Sequence, residues 1–120
     1  MENKIKSKSF LILNNIRSCE NVGAAFRICD ACGVSLIIQG FTPHPKVPND
    51  SRLPYVILKD TEKITKTATE SINNVNFLYF KTEEEVTNFL NDLNIPLYSL
   101  EIGNIKSKNI FEFKPQKPFA

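Results

Sequence analysis

The sequence predicts an α/β fold, a parallel sheet of βαβ units forming a single domain over residues 1–120. Three observations predict it. Short apolar runs of strand length recur along the chain. Between them lie segments whose apolar residues fall at three- and four-residue steps. No repeat or low-complexity stretch interrupts the alternation. Strands that alternate with helices pair in parallel and are covered on both faces, and ligands then bind beyond the carboxyl ends of the strands.

Ser9–Leu13 is the first strand, a short apolar run. Val22–Cys32 reads as a helix, because Val22, Ala25, Phe26, Cys29 and Cys32 fall on one face, and Gly33 stands where a helix stops. Val34–Ile38 is a second buried strand, ending at Gly40. Phe41–Asp60 holds Pro43, Pro45, Pro48 and Pro54 with Asn49-Asp50, so it reads as a long loop. A short helix is expected within Thr61–Asn73, and a third strand over Asn76–Phe80. Thr82 and Glu85 have the spacing of a capping box, and Val86, Phe89, Leu90 and Leu93 make the apolar stripe of the helix that follows. Pro96–Leu100 reads as a fourth strand.

Composition sets bounds. Charged residues make up 23% and apolar residues 42%, the balance of an ordinary soluble domain. No apolar run approaches the ~20 residues of a membrane helix, and the N-terminal eight residues carry no apolar signal core, so a cytoplasmic location is expected. A net charge of +2 is too even to establish a nucleic-acid partner by itself. The lysines do group, with Lys4, Lys6 and Lys8 at one end, Lys63 and Lys66 in the middle, and Lys106, Lys108, Lys114 and Lys117 near the other end. Solvated surface is the plain reading of such groups.

The chemistry concentrates between Asn15 and Val34, where the first strand passes into the first helix. Free amides and the helix dipole favour anions at such a junction, and Arg17 and Arg27 could add bidentate phosphate contacts. Each residue also has a plainer role open to it. Asn21 could cap the helix, Arg27 could be a solvated helix residue, and Gly23 could serve close packing. Cys29 and Cys32 have the C-x-x-C form, and Cys19 and His44 could complete a zinc set. The pair closes a helix rather than opening one, however, and lies on the apolar face, so packing is the expected role and no metal site is expected. His44, the only histidine, is expected near the mouth of the site.

Asn15-Ile16-Arg17-Ser18, Asn21-Val22-Gly23-Ala24, Arg27, Asp30-Ala31 and Gly33-Val34 together resemble the first motif of the SpoU (TrmH) family of RNA ribose 2′-O-methyltransferases, members of the SPOUT superfamily. Gly40-Phe41-Thr42-Pro43 is similar to the Gly-x-Thr-Pro after that family's second strand, and Lys66-Thr67-Ala68 to its Lys-Thr-Ala. Leu100-Glu101 and Phe111-Glu112-Phe113 resemble the lead-in to its second motif. The resemblance implies a Rossmann-like sheet that forms the N-terminal part of an α/β-knot methyltransferase. Its second and third motifs, which build the knot, are expected to be missing here. It also implies methylation of tRNA or rRNA with S-adenosylmethionine, and a homodimer when the knot is present. Arg27 and Asn21 correspond to the catalytic positions. Asn15, Arg17, Ser18, Thr42 and Lys66 are expected to face RNA, and Leu100, Glu101 and Ile102 the methyl donor. An arginine is a poor base at neutral pH, so orientation and charge stabilisation suit Arg27 better than proton abstraction. Without the knot strand the sheet is expected to expose an unpaired edge and apolar side chains, lowering stability. Two other readings stand beside this one: an RNA-binding fragment without catalysis, and an unrelated flavodoxin-like ligand-binding domain.

Overall fold

The structure, a computed structural model, describes residues 9–100 and 118–120. Three strands, β1 (Phe10–Asn14), β2 (Ser35–Gln39) and β3 (Phe77–Phe80), pair in parallel in the order β1-β2-β3. Helix α1 (Cys19–Cys32) joins β1 to β2. Helix α2 (Pro54–Ala68) and the one-turn α3 (Ser71–Asn74) lie between β2 and β3, and α4 (Glu83–Asp92) follows β3. The α/β class and the parallel βαβ arrangement are thus as the alternation predicts.

Alternate strand residues serve the two faces, as the two-residue period of a strand requires. Leu36 and Ile38, with Leu11, Leu13, Phe77 and Tyr79, pack against α1 and α2 through Phe26, Cys29 and Ile64. Phe10, Ile12, Ile37 and Phe80 turn the other way and pack on Val86, Phe89 and Leu90 of α4. β2 is buried at every position, as the central strand of a sheet covered on both sides must be.

Several local expectations are corrected. Helix α1 begins a turn earlier than its apolar stripe suggests. Its cap is Ser18, whose hydroxyl accepts from the Asn21 amide at 3.2 Å, so Asn21 is not the cap. Gly33 closes the helix in the left-handed conformation, φ 69°, as its position predicts. The proline-rich segment ends sooner than expected, because Pro54 starts α2 instead of belonging to the loop. A first helical residue needs no amide donor, and the fixed φ of proline suits that position. The expected helix within Thr61–Asn73 is divided at Thr69, whose φ is 55°. The capping box on α4 is present in both directions: Glu85 N donates to Thr82 Oγ1 at 3.2 Å, and Thr82 N donates to Glu85 Oε1 at 3.0 Å.

Pro96–Leu100 is not a strand. Tyr98 N donates to Ala120 O and Ala120 N donates to Pro96 O, but the segment takes no strand conformation. Phe119 O in turn accepts from Phe10 N at 2.8 Å, so the outer edge of β1 is engaged at that point instead of open. Large apolar side chains are exposed elsewhere, among them Leu53, Tyr55 and Leu58 around the start of α2.

Gly23 sets how closely α1 and α2 approach. A Cβ there would lie 2.7 Å from Ile64 O and 2.7 Å from Thr67 Cβ. The packing role foreseen for this glycine is therefore helix against helix, rather than helix against strand. Alanine raises helix propensity by about 1 kcal/mol, but forcing two backbones apart costs about 1–3 kcal/mol. Gly23→Ala is expected to lower stability by a net ~1 kcal/mol, read from urea denaturation; a stabilised variant would contradict the close approach.

Candidate nucleic-acid interface

The carboxyl ends of β1 and β2 are tied into one bracket. Asn15, φ 55°, follows β1, and its backbone N donates to Gln39 O at 3.2 Å. Its side-chain Oδ1 accepts from Phe41 N at 3.1 Å. Ile16 N donates to Thr42 Oγ1 at 2.9 Å, and that hydroxyl donates to Gln39 O at 2.8 Å. Thr42 is only 2% exposed, so its hydroxyl is a structural hinge pin and not a surface contact. Gly40 sits inside the bracket with φ 74°, where a Cβ would overlap the Asn15 carboxamide. Its N donates to Phe80 O at 3.0 Å and its carbonyl accepts from the Tyr79 hydroxyl, which joins β3 to the same unit.

Beside the bracket a cleft of about 500 Å³ opens at the start of α1. Arg17, Ser18, Cys19 and Glu20 form one wall, and Lys63, Lys66 and Thr67 of α2 the other. Three cations and one carboxylate line it, next to the amino end of a helix, so the site suits an anion. The Arg17 guanidinium lies 5.7 Å from the centre of the Phe41 ring.

Of the residues expected to face RNA, Arg17, Ser18 and Lys66 come together in this cleft, whereas Asn15 and Thr42 build the bracket behind it. The expected catalytic pair lies elsewhere. Asn21 and Arg27 are both exposed and six residues apart on α1, which sets them about 120° apart around the helix. Arg27 borders a second cleft of about 360 Å³ with Asp30, Thr69, Glu70 and Asn74. The structure therefore does not gather Arg27, Asn21 and the basic cleft into one pocket. Of the residues expected at the methyl donor, Leu100 is 87% exposed and Glu101 and Ile102 lie outside the described residues.

Sequence reading missed three participants. Lys63 shares a face with Lys66 once α2 is known to be one helix, so that signal was present in the three-residue spacing. The exposed Phe41 ring has no local signal. Nor does Arg52, which organises the loop between β2 and α2. Its Nε and Nη2 grip Asp50 at 2.9 and 2.6 Å, its Nη1 reaches Asp60 at 3.3 Å, and it donates to the carbonyls of His44 and Pro45. The guanidinium holds the Asp50 carboxyl well below the usual carboxylate range.

His44 is buried in that loop, stacked on Tyr79 with ring centres 4.0 Å apart, and its Nδ1 lies 2.8 Å from Pro45 O. A carbonyl only accepts, so Nδ1 carries the proton. Burial pushes its pKa down, and the ring packs in that loop. The cysteines separate. Cys29 is buried, donates toward Ser35 O at 3.9 Å, and burial pushes its thiol up to about 12. Cys32 is exposed, which corrects its placement on the apolar face. Cys19 opens α1, yet burial and then the Asp60 carboxylate raise its pKa, the reverse of an activated thiol. Among the described residues no group of three or more His, Cys, Asp or Glu is placed to hold a metal ion, and no helix is long and apolar enough to cross a membrane.

Comparison of the sequence with models of protein families and with characterised proteins found no match.

Proposed function

We propose that the chain belongs to an S-adenosylmethionine-dependent RNA ribose 2′-O-methyltransferase of the SpoU type, acting on tRNA or rRNA, and that the described residues form its RNA-facing part. One observation supports this reading above the others. Three of the segments that carry the resemblance are far apart in sequence and converge in space. Asn15-Ile16-Arg17-Ser18 is hydrogen-bonded to the Gly40–Thr42 turn through Asn15 and Ile16. Lys66, from the third segment, faces Arg17 and Ser18 across the basic cleft. A helix amino end with three cations suits the phosphates of an RNA backbone. Arg27, on the neighbouring surface of α1, is left for holding and charge-stabilising a ribose brought alongside. The methyl donor would supply the electrophilic carbon, and no residue described here is assigned to it.

The test is incubation with unmodified tRNA and rRNA and S-adenosylmethionine carrying a labelled methyl group, followed by nucleoside analysis. Labelled 2′-O-methylnucleoside that falls at least about a hundredfold in Arg27→Ala supports the reading, since the loss of one charge-stabilising group in a transition state costs about that much. RNA binding without transfer would leave a binding module. Its affinity is then expected to fall with salt at a logarithmic slope near −2, about three phosphates neutralised on a single strand. A chain that neither binds nor methylates RNA would end the reading.

A further inference from the structure

Phe41 has a fixed backbone and an exposed ring. The ring is 61% exposed, although burying a phenylalanine is among the larger apolar gains available to a chain of this size. Its backbone is not free to fold the ring away. The amide is held by Asn15 Oδ1 at 3.1 Å, the preceding Gly40 is pinned to Phe80 O at 3.0 Å, and the following Thr42 is 2% exposed and bonded on both sides. The bracket thus fixes the backbone that carries an outward-facing aromatic ring, which lowers the ordering cost of using it. The Arg17 guanidinium lies 5.7 Å from the ring centre, and the Asn15 carboxamide accepts from the Phe41 backbone amide. Such surroundings suit a flat, polar-edged π-system better than an apolar protein face. Arg17 also lines the basic cleft, so the ring and the anion site share one residue.

We infer that Phe41 and Arg17 form a stacking site for one unpaired nucleobase of an RNA strand whose phosphates occupy the adjoining Arg17–Lys63–Lys66 cleft, an inference that rests on the RNA reading above. Base-on-aromatic stacking tolerates any base, because every base has a π-face, whereas bases stacked inside a duplex offer no such face. The site therefore selects a nucleotide out of the helix, in a loop, a bulge or an end. Arg17 contributes twice, as a plane beside the ring and as a charge toward phosphate.

The experiment measures binding of the full chain to two RNAs of equal length at low salt, one single-stranded and uniform in base, the other fully paired. Phe41→Ala and Phe41→Tyr are compared with the unaltered chain, and circular dichroism verifies the fold. The expected result is a preference for the unpaired strand that drops about tenfold in Phe41→Ala, the scale of one lost stack, and is restored in Phe41→Tyr. A fluorescent purine analogue in the single strand should be quenched by the unaltered chain and not by Phe41→Ala. If the chain binds RNA but Phe41→Ala keeps both the preference and the quenching, the stacking site is overturned while the RNA reading stands. If the unaltered chain binds neither RNA, the RNA reading falls and the stacking site falls with it.

Discussion

Replacing Gly40 by alanine is expected to destabilise the chain by about 3 kcal/mol, combining a positive-φ penalty with an overpacked contact. The backbone there has φ 74°, and the new Cβ would overlap the Asn15 carboxamide. The chain can relieve the clash by rotating that carboxamide away, but Phe41 N then loses its acceptor. A double substitution isolates the cause. Asn15→Gly removes the obstructing group and tolerates φ 55° without strain. The Gly40→Ala penalty measured in an Asn15→Gly background should shrink by about 1 kcal/mol or more, whereas uncoupled sites add to within ~0.5 kcal/mol. Urea denaturation of the four chains reads the coupling directly. Strict additivity would show that the two residues do not press on one another.

The second large effect is expected at Arg52. Arg52→Met keeps much of the aliphatic stem and removes the guanidinium that binds Asp50, Asp60 and two carbonyls. The Asp50 side chain is 4% exposed and the Arg52 side chain 20%. Removing one partner from a largely buried pair leaves a charge uncompensated, at a cost of about 3 kcal/mol near neutral pH. The pH dependence identifies the mechanism. Asp50 has its folded pKa depressed by Arg52, so its contribution is fully present above the ordinary carboxylate value near 3.8 and is lost as pH falls toward the folded value. The unaltered chain should therefore lose stability below about pH 4. In Arg52→Met the largest cause of the depression is gone, while the backbone amides of Val47 and of position 52 still donate to the carboxylate, so the gap between the two chains should narrow in the same window. Denaturation midpoints at pH 7 and pH 3 decide it. A gap that stays constant would mean that Arg52 acts through packing alone.

The parts of the fold legible in the sequence were those decided locally. The three paired strands, the Gly33 stop and the capping box at Thr82 and Glu85 all rest on periodicity or on residue types a few positions apart. Pro54 was misread because four prolines in one segment speak for a loop, whereas a proline at a first helical position is indistinguishable until the helix behind it is seen. Ser18 and Asn21 are both good caps, and tertiary packing chose between them. Cys32 falls on the predicted stripe but at the last turn, beyond the helix that covers Cys29. The site was legible in part for the same reason. Arg17, Ser18 and Lys66 could be named from motif positions, but that Thr42 is a buried strut while Phe41 beside it stands exposed depends on how two strand ends meet. The network around Arg52 joins residues whose spacing carries no periodic signal, so it belongs to the tertiary structure alone.

The contact between Phe119 and Phe10 also bears on the order in which the molecule assembles. The pairing of β1 with β2 closes a loop of about two dozen residues, and that of β2 with β3 one of about forty. The Phe10–Phe119 hydrogen bond spans almost the whole chain. The thermodynamic cost of the longer closure is slight, since each doubling of loop length adds only about 0.6 kcal/mol. The kinetic consequence is larger, because distant pairings form late. During synthesis, β1 is made before β2 and β3, yet its contact with Phe119 has to wait until more than a hundred further residues have been added. Until residue 119 arrives, the Phe10 amide lacks this acceptor, so early release or slow elongation bears on the β1 side of the sheet.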